Sequence, residues 1–116
     1  MATTEDLPER LSSRQVAELA PTDQITLVDV REPHEYEAGH ISGARHIPFA
    51  SLSANAERID RKLPVVFYCR SGGRSSVATQ AFRASGFDAH DMTGGLLDWV
   101  SEGLPVEPRD GTVADH

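Results

Sequence analysis

The amino-acid sequence predicts an α/β fold in which helices cover both faces of a mainly parallel sheet. Two segments, "ITLVDV" and "LPVVFY", are almost entirely apolar and rich in β-branched residues. Such runs are typical of strands that are buried on both faces. Segments with helical patterning stand between and after them, and this alternation favours a sandwich with parallel strands.

The first third of the chain predicts a helix, a strand and a second helix. "LSSRQVAELA" offers Ser12 or Ser13 as the N-cap of a short helix. The apolar run at 25–30 follows as a strand. In "PHEYEAGH", Pro33 suits the first turn of a helix and Gly39 its exit. A short extended piece before Pro48 and the weakly helical "ASLSANAERID" complete this part.

The second half predicts two more strands, each followed by a helix. The run at 63–68 is the second buried strand, and "FDAHDM" is a third. The helix at 74–85 ends before Gly86, and the last helix lies in "GGLLDWVSEG". The residues expected to face inward on these two helices are Val77, Ala78, Ala81, Phe82, Leu96, Leu97 and Val100.

Length and charge limit the class of protein. A chain of 116 residues has the size of one domain. The net charge of −7 argues against nucleic acid or an anionic membrane as partner, because both favour clustered Lys and Arg. The beginning of the sequence has no secretory signal pattern and no apolar run is long enough to span a membrane, so a cytoplasmic protein is expected.

The chain contains one cysteine, Cys69. A single cysteine cannot form an internal disulfide, a CxxC redox pair or a cysteine-rich zinc site. The histidines are scattered without the spacing of metal ligands, and we expect neither a metal nor a cofactor.

Cys69 lies at the end of a predicted strand, in "VVFYCRSGGRSS", where a loop leads into a helix. Ligands of parallel sheets bind at this edge. The amides of a tight loop and the positive end of a helix dipole both favour a thiolate over a thiol. Gly72 and Gly73 would allow the loop to turn its amides inward. The alternative is an inert, buried cysteine beside an ordinary turn.

The charges around Cys69 favour the reactive interpretation. Residues 63–83 contain three arginines and no acidic residue, although the chain as a whole is acidic. This local positive charge suits an anionic substrate as well as a thiolate. Four residues separate Cys69 from Arg74, one fewer than in the loop of cysteine-dependent phosphatases, so a tighter pocket is expected.

Three motifs together resemble the rhodanese-like sulfurtransferases, particularly the single-domain type. They are "LVDVREPHEYEAGHISGARHIP", "FYCRSGGRSS" and "MTGGLLDWVSEGLPV", in the order of the family. The resemblance implies a three-layer sandwich with a five-stranded, mostly parallel sheet, and a catalytic cysteine at Cys69. It also implies transfer of sulfane sulfur from a donor such as thiosulfate, through a cysteine persulfide, to cyanide or a thiol.

The residues of the loop suggest how this chemistry would proceed. The Cys69 thiolate would attack the outer sulfur of the donor, and the loop amides would stabilise the persulfide. Two arginines would attract the anion, and which of them points into the pocket is left open. The residues expected to bind the donor are Arg70, Ser71, Gly72, Gly73, Arg74 and Ser75.

Other conspicuous residues receive structural roles. By resemblance, Asp29 and Arg31 brace the active-site loop, with a surface ion pair as the alternative. His40 lies in a motif that is structural in the family, and a thiolate stabilised by amides needs no base. Trp99 is expected to pack in the core rather than to contact substrate.

The predicted organisation is a flexible segment at 1–10, a rhodanese-like domain at 11–106 and a flexible tail at 107–116. Two other functions stay open. One is a module that delivers sulfur to, or recognises, a protein partner. The other is a phosphatase or arsenate reductase, which the short loop and the absence of a second cysteine disfavour. The physiological donor and acceptor, the pathway and the oligomeric state do not follow from the sequence.

Overall fold

Helices cover both faces of a parallel sheet in the computed structural model of the chain, which describes residues 7–115. Within those residues the sheet has five strands: β1 (Arg10–Leu11), β2 (Thr26–Asp29), β3 (Arg45–His46), β4 (Val65–Tyr68) and β5 (Ala89–Met92). Their order is β1-β5-β4-β2-β3, and every neighbouring pair is parallel. The predicted fold class is confirmed.

The α-helices of the described residues are α1 (Ser13–Leu19), α2 (Pro33–Ala38), α3 (Leu52–Asn55), α4 (Gly73–Ala84) and α5 (Gly95–Ser101). Ser12 is the N-cap of α1. Its hydroxyl accepts a hydrogen bond from the amide of Gln15, and the side-chain oxygen of Gln15 accepts one from the amide of Ser12. Three short 3-10 turns, Ala20–Thr22, Phe49–Ser51 and Ala56–Arg58, connect the larger elements. Among the described helices, none is long and apolar enough to cross a membrane.

The core is divided by the sheet into two apolar clusters, one on each face. Val66 of β4 belongs to the cluster that includes Trp99, whereas Val65 and Phe67 belong to the cluster that includes Phe82. Successive side chains of a strand point to opposite faces, so a strand covered on both sides is apolar throughout. This arrangement explains the continuous apolar runs of the sequence and gives a three-layer sandwich.

Two helices present a different face to the core from the one predicted. In α5 the buried side chains are Leu96 and Trp99, while Leu97 and Val100 are 41% and 43% exposed. Leu96 and Trp99 are three residues apart and share a helix face, and Trp99 is the larger apolar group. The prediction that Leu97 and Val100 face inward is therefore wrong.

The same shift occurs in α4. Val77 and Ala81, which were predicted to face inward, are exposed. The buried positions are Ser75, Ala78, Thr79 and Phe82, at helical spacing. The buried hydroxyls are both hydrogen-bonded: Ser75 donates to Asp91, and Thr79 donates to the carbonyl oxygen of Ser75 one turn earlier. A hydrophobic pattern does not indicate such positions.

Both predicted flexible ends contain packed residues. In the segment 1–10, residues 1–6 lie outside the described residues, whereas Leu7 packs against the core and Arg10 pairs with Asp91 in the sheet. The tail at 107–116 is hydrogen-bonded rather than unpacked as far as it is described: Glu107 forms an antiparallel bridge with His40. Backbone hydrogen bonds of this kind leave little trace in the side-chain pattern, and His116 lies outside the described residues.

Candidate active site

Cys69 lies directly after β4, at the carboxyl edge of the sheet, under the loop that leads into α4. Its side chain is 1% exposed. The amide of Gly72 donates a hydrogen bond to Sγ over 3.1 Å. Gly72 has a φ of 121°, which L residues rarely adopt, and it precedes the first residue of α4. The loop thus places an amide and the positive end of a 12-residue helix beside the sulfur.

The far side of the loop is held by α5. The amides of Leu96 and Leu97 donate to the carbonyl oxygens of Cys69 and Arg70 over 2.8 and 3.1 Å. Gly95 permits this close approach, because a Cβ there would lie 2.5 Å from both carbonyl oxygens. These carbonyls are therefore bound to α5.

Arg74, at the start of α4, binds a buried carboxylate. Its two terminal nitrogens donate to the two oxygens of Glu35 over 2.8 and 3.0 Å. These hydrogen bonds are the main reason that the pKa of Arg74 is raised, and the charges of Glu35, Cys69 and Asp29 also raise it. Burial has the opposite effect and is outweighed. The Arg74 cation is thus fixed close to the sulfur.

Glu35 itself is fully buried on α2. Burial opposes its ionisation, but the hydrogen bonds from Arg74 and from the Glu32 amide, together with the charges of Arg74 and Arg31, outweigh this and lower the pKa of Glu35. In the sequence, Glu35 is distinguished only by its place in the first turn of a helix, where an acidic residue is favourable. Its pairing with Arg74, 39 residues away, was missed.

Arg70 has a freer side chain than Arg74. One terminal nitrogen lies 3.4 Å from Oδ1 of Asp115 in the tail. Its buried Nε has no hydrogen-bond partner among the residues described. Of the two loop arginines, Arg70 is therefore the one whose guanidinium is not held by a buried carboxylate.

Ser75 connects Cys69 to a buried acid. Its Oγ lies 3.5 Å from Sγ of Cys69, 3.3 Å from the carbonyl oxygen of Gly72 and 2.5 Å from Oδ1 of Asp91. Asp91 lies on β5 and was not singled out in the sequence. Burial raises the pKa of Asp91, and the negative charge of Glu9 acts in the same direction. The hydrogen bond from Ser75 and the positive charge of Arg10 lower this pKa but do not outweigh burial.

Two residues that were expected to bind the sulfur donor, Ser71 and Gly73, make no described side-chain hydrogen bond. Ser71 is exposed, and its hydroxyl forms no hydrogen bond within residues 7–115. Gly73 is also exposed, as the first residue of α4. The described contacts thus bring Gly72 and Ser75 to Sγ of Cys69, with Arg74 close enough for its charge to interact with the sulfur.

Asp29 and Arg31 form an ion pair with no exposed surface. Arg31 donates to both carboxylate oxygens of Asp29, at 2.6 Å for the shortest contact, and to the carbonyl oxygen of Gly39 over 2.7 Å. The pair ties the end of β2 to the end of α2. The structure therefore favours the framework interpretation over a surface ion pair.

His40 and Trp99 have the contacts of structural residues. His40 stacks on the ring of Tyr36 and its Nδ1 lies 2.8 Å from the Tyr36 carbonyl oxygen. Trp99 is buried and donates from Nε1 to the Pro105 carbonyl oxygen. Across residues 7–115, no group of three or more His, Cys, Asp or Glu side chains could hold a metal ion.

The sequence matches the model of one protein family, described as "Rhodanese-like domain", over residues 12–102. A sulfurtransferase of Allochromatium vinosum is 35% identical over 104 residues, which are 89% of this chain and 94% of that protein. The thiosulfate sulfurtransferase GlpE of Coxiella burnetii is 32% identical, covering 78% of this chain and 86% of the relative.

Other relatives are longer than the matched part. The uncharacterized protein YqhL of Bacillus subtilis is 42% identical over 74 residues, which are 63% of this chain and 59% of the relative. Among solved structures, a rhodanese-related protein of Thermoplasma volcanium aligns with a TM-score of 0.79 at 28% identity, covering 85% of this chain and 97% of the other. Sequence and structure comparisons thus agree on the family and on the fold.

Proposed function

The chain belongs to the rhodanese-like domain family, and on that premise we propose that it is a sulfurtransferase whose sulfur carrier is Cys69. The proposed donor is a small anion with a sulfane sulfur, such as thiosulfate, and the acceptor is a thiol or cyanide. The observation that supports this most directly is the position of Sγ. Sγ accepts a hydrogen bond from the Gly72 amide at the start of α4, inside a loop with two arginines.

The first step transfers sulfur to the protein. The Cys69 thiolate attacks the outer sulfur of thiosulfate, and a bond forms between that sulfur and Sγ. The S–S bond of thiosulfate breaks, and sulfite leaves with the electron pair. In the second step the acceptor attacks the terminal sulfur of the persulfide, and Cys69 leaves as a thiolate. One cysteine is sufficient for both steps.

The surroundings of Sγ support each step. The Gly72 amide and the helix dipole stabilise negative charge, first on the thiolate and then on the terminal sulfur of the persulfide. Arg70, whose side chain is partly exposed, supplies positive charge that attracts the incoming anion. Arg74 contributes positive charge from a position fixed by Glu35.

Intact-protein mass spectrometry after incubation with thiosulfate tests the proposal. We expect a gain of one sulfur atom that a thiol reductant removes. The Cys69→Ser variant should gain nothing, and because Cys69 is the only cysteine the result is unambiguous. Sulfur gain by the variant, or none by a folded wild type under these conditions, would contradict the proposal.

The class of acceptor is tested separately. The persulfide form should lose its sulfur to cyanide or to a small thiol, and the loss is measured as return to the original mass. Slow loss to these small acceptors, together with fast loss to a protein thiol, would assign the chain to sulfur delivery between proteins.

A further inference from the structure

The Ser75 hydroxyl lies between two titratable groups that are both buried. Sγ of Cys69 is 3.5 Å from Ser75 Oγ on one side, and Oδ1 of Asp91 is 2.5 Å from it on the other. Cys69, Ser75 and Asp91 are 1%, 0% and 5% exposed. The three groups form a continuous hydrogen-bonded chain across β4, α4 and β5.

A serine hydroxyl has one hydrogen to donate. When Asp91 is ionised, a separation of 2.5 Å is that of a charge-assisted O–H···O⁻ bond, so the hydrogen points at Asp91. Ser75 then presents only lone pairs to Sγ. That arrangement suits a thiol, which donates to Ser75, and it is unfavourable for a thiolate.

The opposite arrangement follows when Asp91 carries a proton. The Asp91 O–H donates to Ser75 Oγ, and the Ser75 hydrogen turns towards Sγ. Sγ then accepts hydrogen bonds from Ser75 and from the Gly72 amide. This arrangement suits a thiolate.

We propose that Cys69 and Asp91 share one ionisable proton through the hydroxyl of Ser75, and that Asp91 becomes protonated when Cys69 becomes the nucleophile. The Cys69 S–H proton passes to Ser75 Oγ, and the proton that Ser75 held passes to Oδ1 of Asp91. One S–H bond and one O–H bond break, two O–H bonds form, and the total charge does not change. Asp91 is a positioning residue, because it acts on Sγ only through Ser75.

The charges around the three groups are consistent with this role. Asp91 is faced by Arg10 and Glu9 from the neighbouring β1 side, and Glu9 is itself paired with Arg83 of α4. Burial makes Asp91 a stronger proton acceptor than a surface aspartate, since it raises the pKa of the carboxyl. Arg74 supplies positive charge near Cys69.

The inference rests on the proposed function for the identity of the nucleophile, but its test needs no sulfur donor. Thiolate formation is followed by ultraviolet absorbance as a function of pH, with Cys69→Ser as the blank. Because the chain has one cysteine, the difference reports Cys69 alone. A failure to gain sulfur from thiosulfate would therefore leave this measurement interpretable.

Asp91→Asn keeps the shape of the side chain and mimics the protonated carboxyl. We expect the midpoint of thiolate formation to move to lower pH by at least about one unit, which is a tenfold larger thiolate fraction below the midpoint. An unchanged midpoint, or a move to higher pH, would overturn the proposal. The melting temperature of the variant confirms that it is folded.

Two further variants separate the relay from a general change of charge. In a Ser75→Ala background, Asp91→Asn should shift the midpoint much less, and an equal shift would overturn the role of Ser75. Asp98→Asn is the matched control, because the Asp98 carboxylate also accepts a serine hydroxyl, that of Ser13 over 2.8 Å, and makes no described hydrogen bond to Cys69 or Ser75. It should leave the profile unchanged, and a shift as large as that of Asp91→Asn would also overturn the proposal.

Discussion

Arg74 and Glu35 join the active-site loop to α2 through two hydrogen bonds of 2.8 and 3.0 Å. Glu35 has no exposed surface, while about a quarter of the Arg74 side chain is exposed. The bond therefore fixes the guanidinium from its buried side. Removal of either partner leaves the other with an unmet charge or unpaired donors.

Glu35→Gln is expected to lower the free energy of unfolding by about 2 to 3 kcal/mol at neutral pH, the scale of hydrogen bonds to a charged group. It should also slow sulfur loading of Cys69, because Arg74 is no longer fixed. Urea denaturation and the rate of mass gain with thiosulfate measure the two effects. Glu37→Gln, an exposed change on the same helix, is the control, and an equal loss in both variants would contradict the role of Glu35.

The same pair predicts a loss of stability in acid. The pKa of Glu35 is lower in the folded protein than its usual value of 4.5, so its contribution is complete above pH 4.5 and is lost as the pH falls below it. The difference in unfolding free energy between wild type and Glu35→Gln should therefore shrink below pH 4.5. A difference that is independent of pH would mean that the charge of Glu35 is not responsible.

Gly95→Ala should disrupt the loop. Its Cβ would lie 2.5 Å from the carbonyl oxygens of Cys69 and Arg70, and its φ of 59° is unfavourable for alanine. Gly43→Ala is a matched control, because Gly43 has a φ of 83° but open space around a Cβ. We expect Gly43→Ala to cost about 1 kcal/mol from backbone strain alone and Gly95→Ala at least about 3 kcal/mol. Equal melting temperatures would show that α5 does not hold the loop.

Asp29→Asn should destabilise the fold strongly, because it leaves the buried Arg31 cation without its counter-charge. Breaking a buried ion pair costs about 3 to 5 kcal/mol. The comparison is Glu102→Gln, which breaks the exposed pair between Arg14 and Glu102 and is expected to cost less than about 1 kcal/mol. Urea denaturation of both variants gives the two losses of unfolding free energy. If Asp29→Asn lost as little unfolding free energy as Glu102→Gln, the Asp29–Arg31 pair would not be important for the stability of the fold.

Arg70→Gln tests anion recognition separately from stability. The change removes a partly exposed cation of the loop, so we expect the KM for thiosulfate to rise about tenfold with little change in kcat. The KM of the variant should also depend less on salt concentration. Arg14→Gln, far from the loop, controls for net charge. An unaltered KM would assign the donor site to other groups.

The elements that the sequence predicts well are those whose signal is local. β2 and β4 are continuous apolar runs, and α1 has a capping serine directly before it. β1 was missed because it has two residues and is defined by its pairing with β5 rather than by a pattern. The tail was missed for the same reason, since its hydrogen bonds to 38–40 are made by the backbone.

The candidate site divides in the same way. One sequence motif contains Cys69, the two loop arginines and Ser75, so their proximity could be predicted from that motif alone. Glu35 and Asp91 approach that motif from other elements, 39 and 16 residues from their partners, and only the packing of α2 and β5 brings them there. An aspartate within a segment predicted as a strand of the sheet, as in "FDAHDM", is a signal that could have pointed to Asp91, because an acid buried in a sheet requires a partner.

The anchoring of the loop at both ends limits how its ring size could be redesigned. α5 binds the carbonyls of Cys69 and Arg70 at one end, and Glu35 binds Arg74 at the other. One inserted residue, giving the longer loop of a phosphatase, would have to bulge between these two anchors or break one of them. A change from the proposed sulfur donor to a phosphoryl ester would therefore require remodelling of α2 or α5 together with the loop.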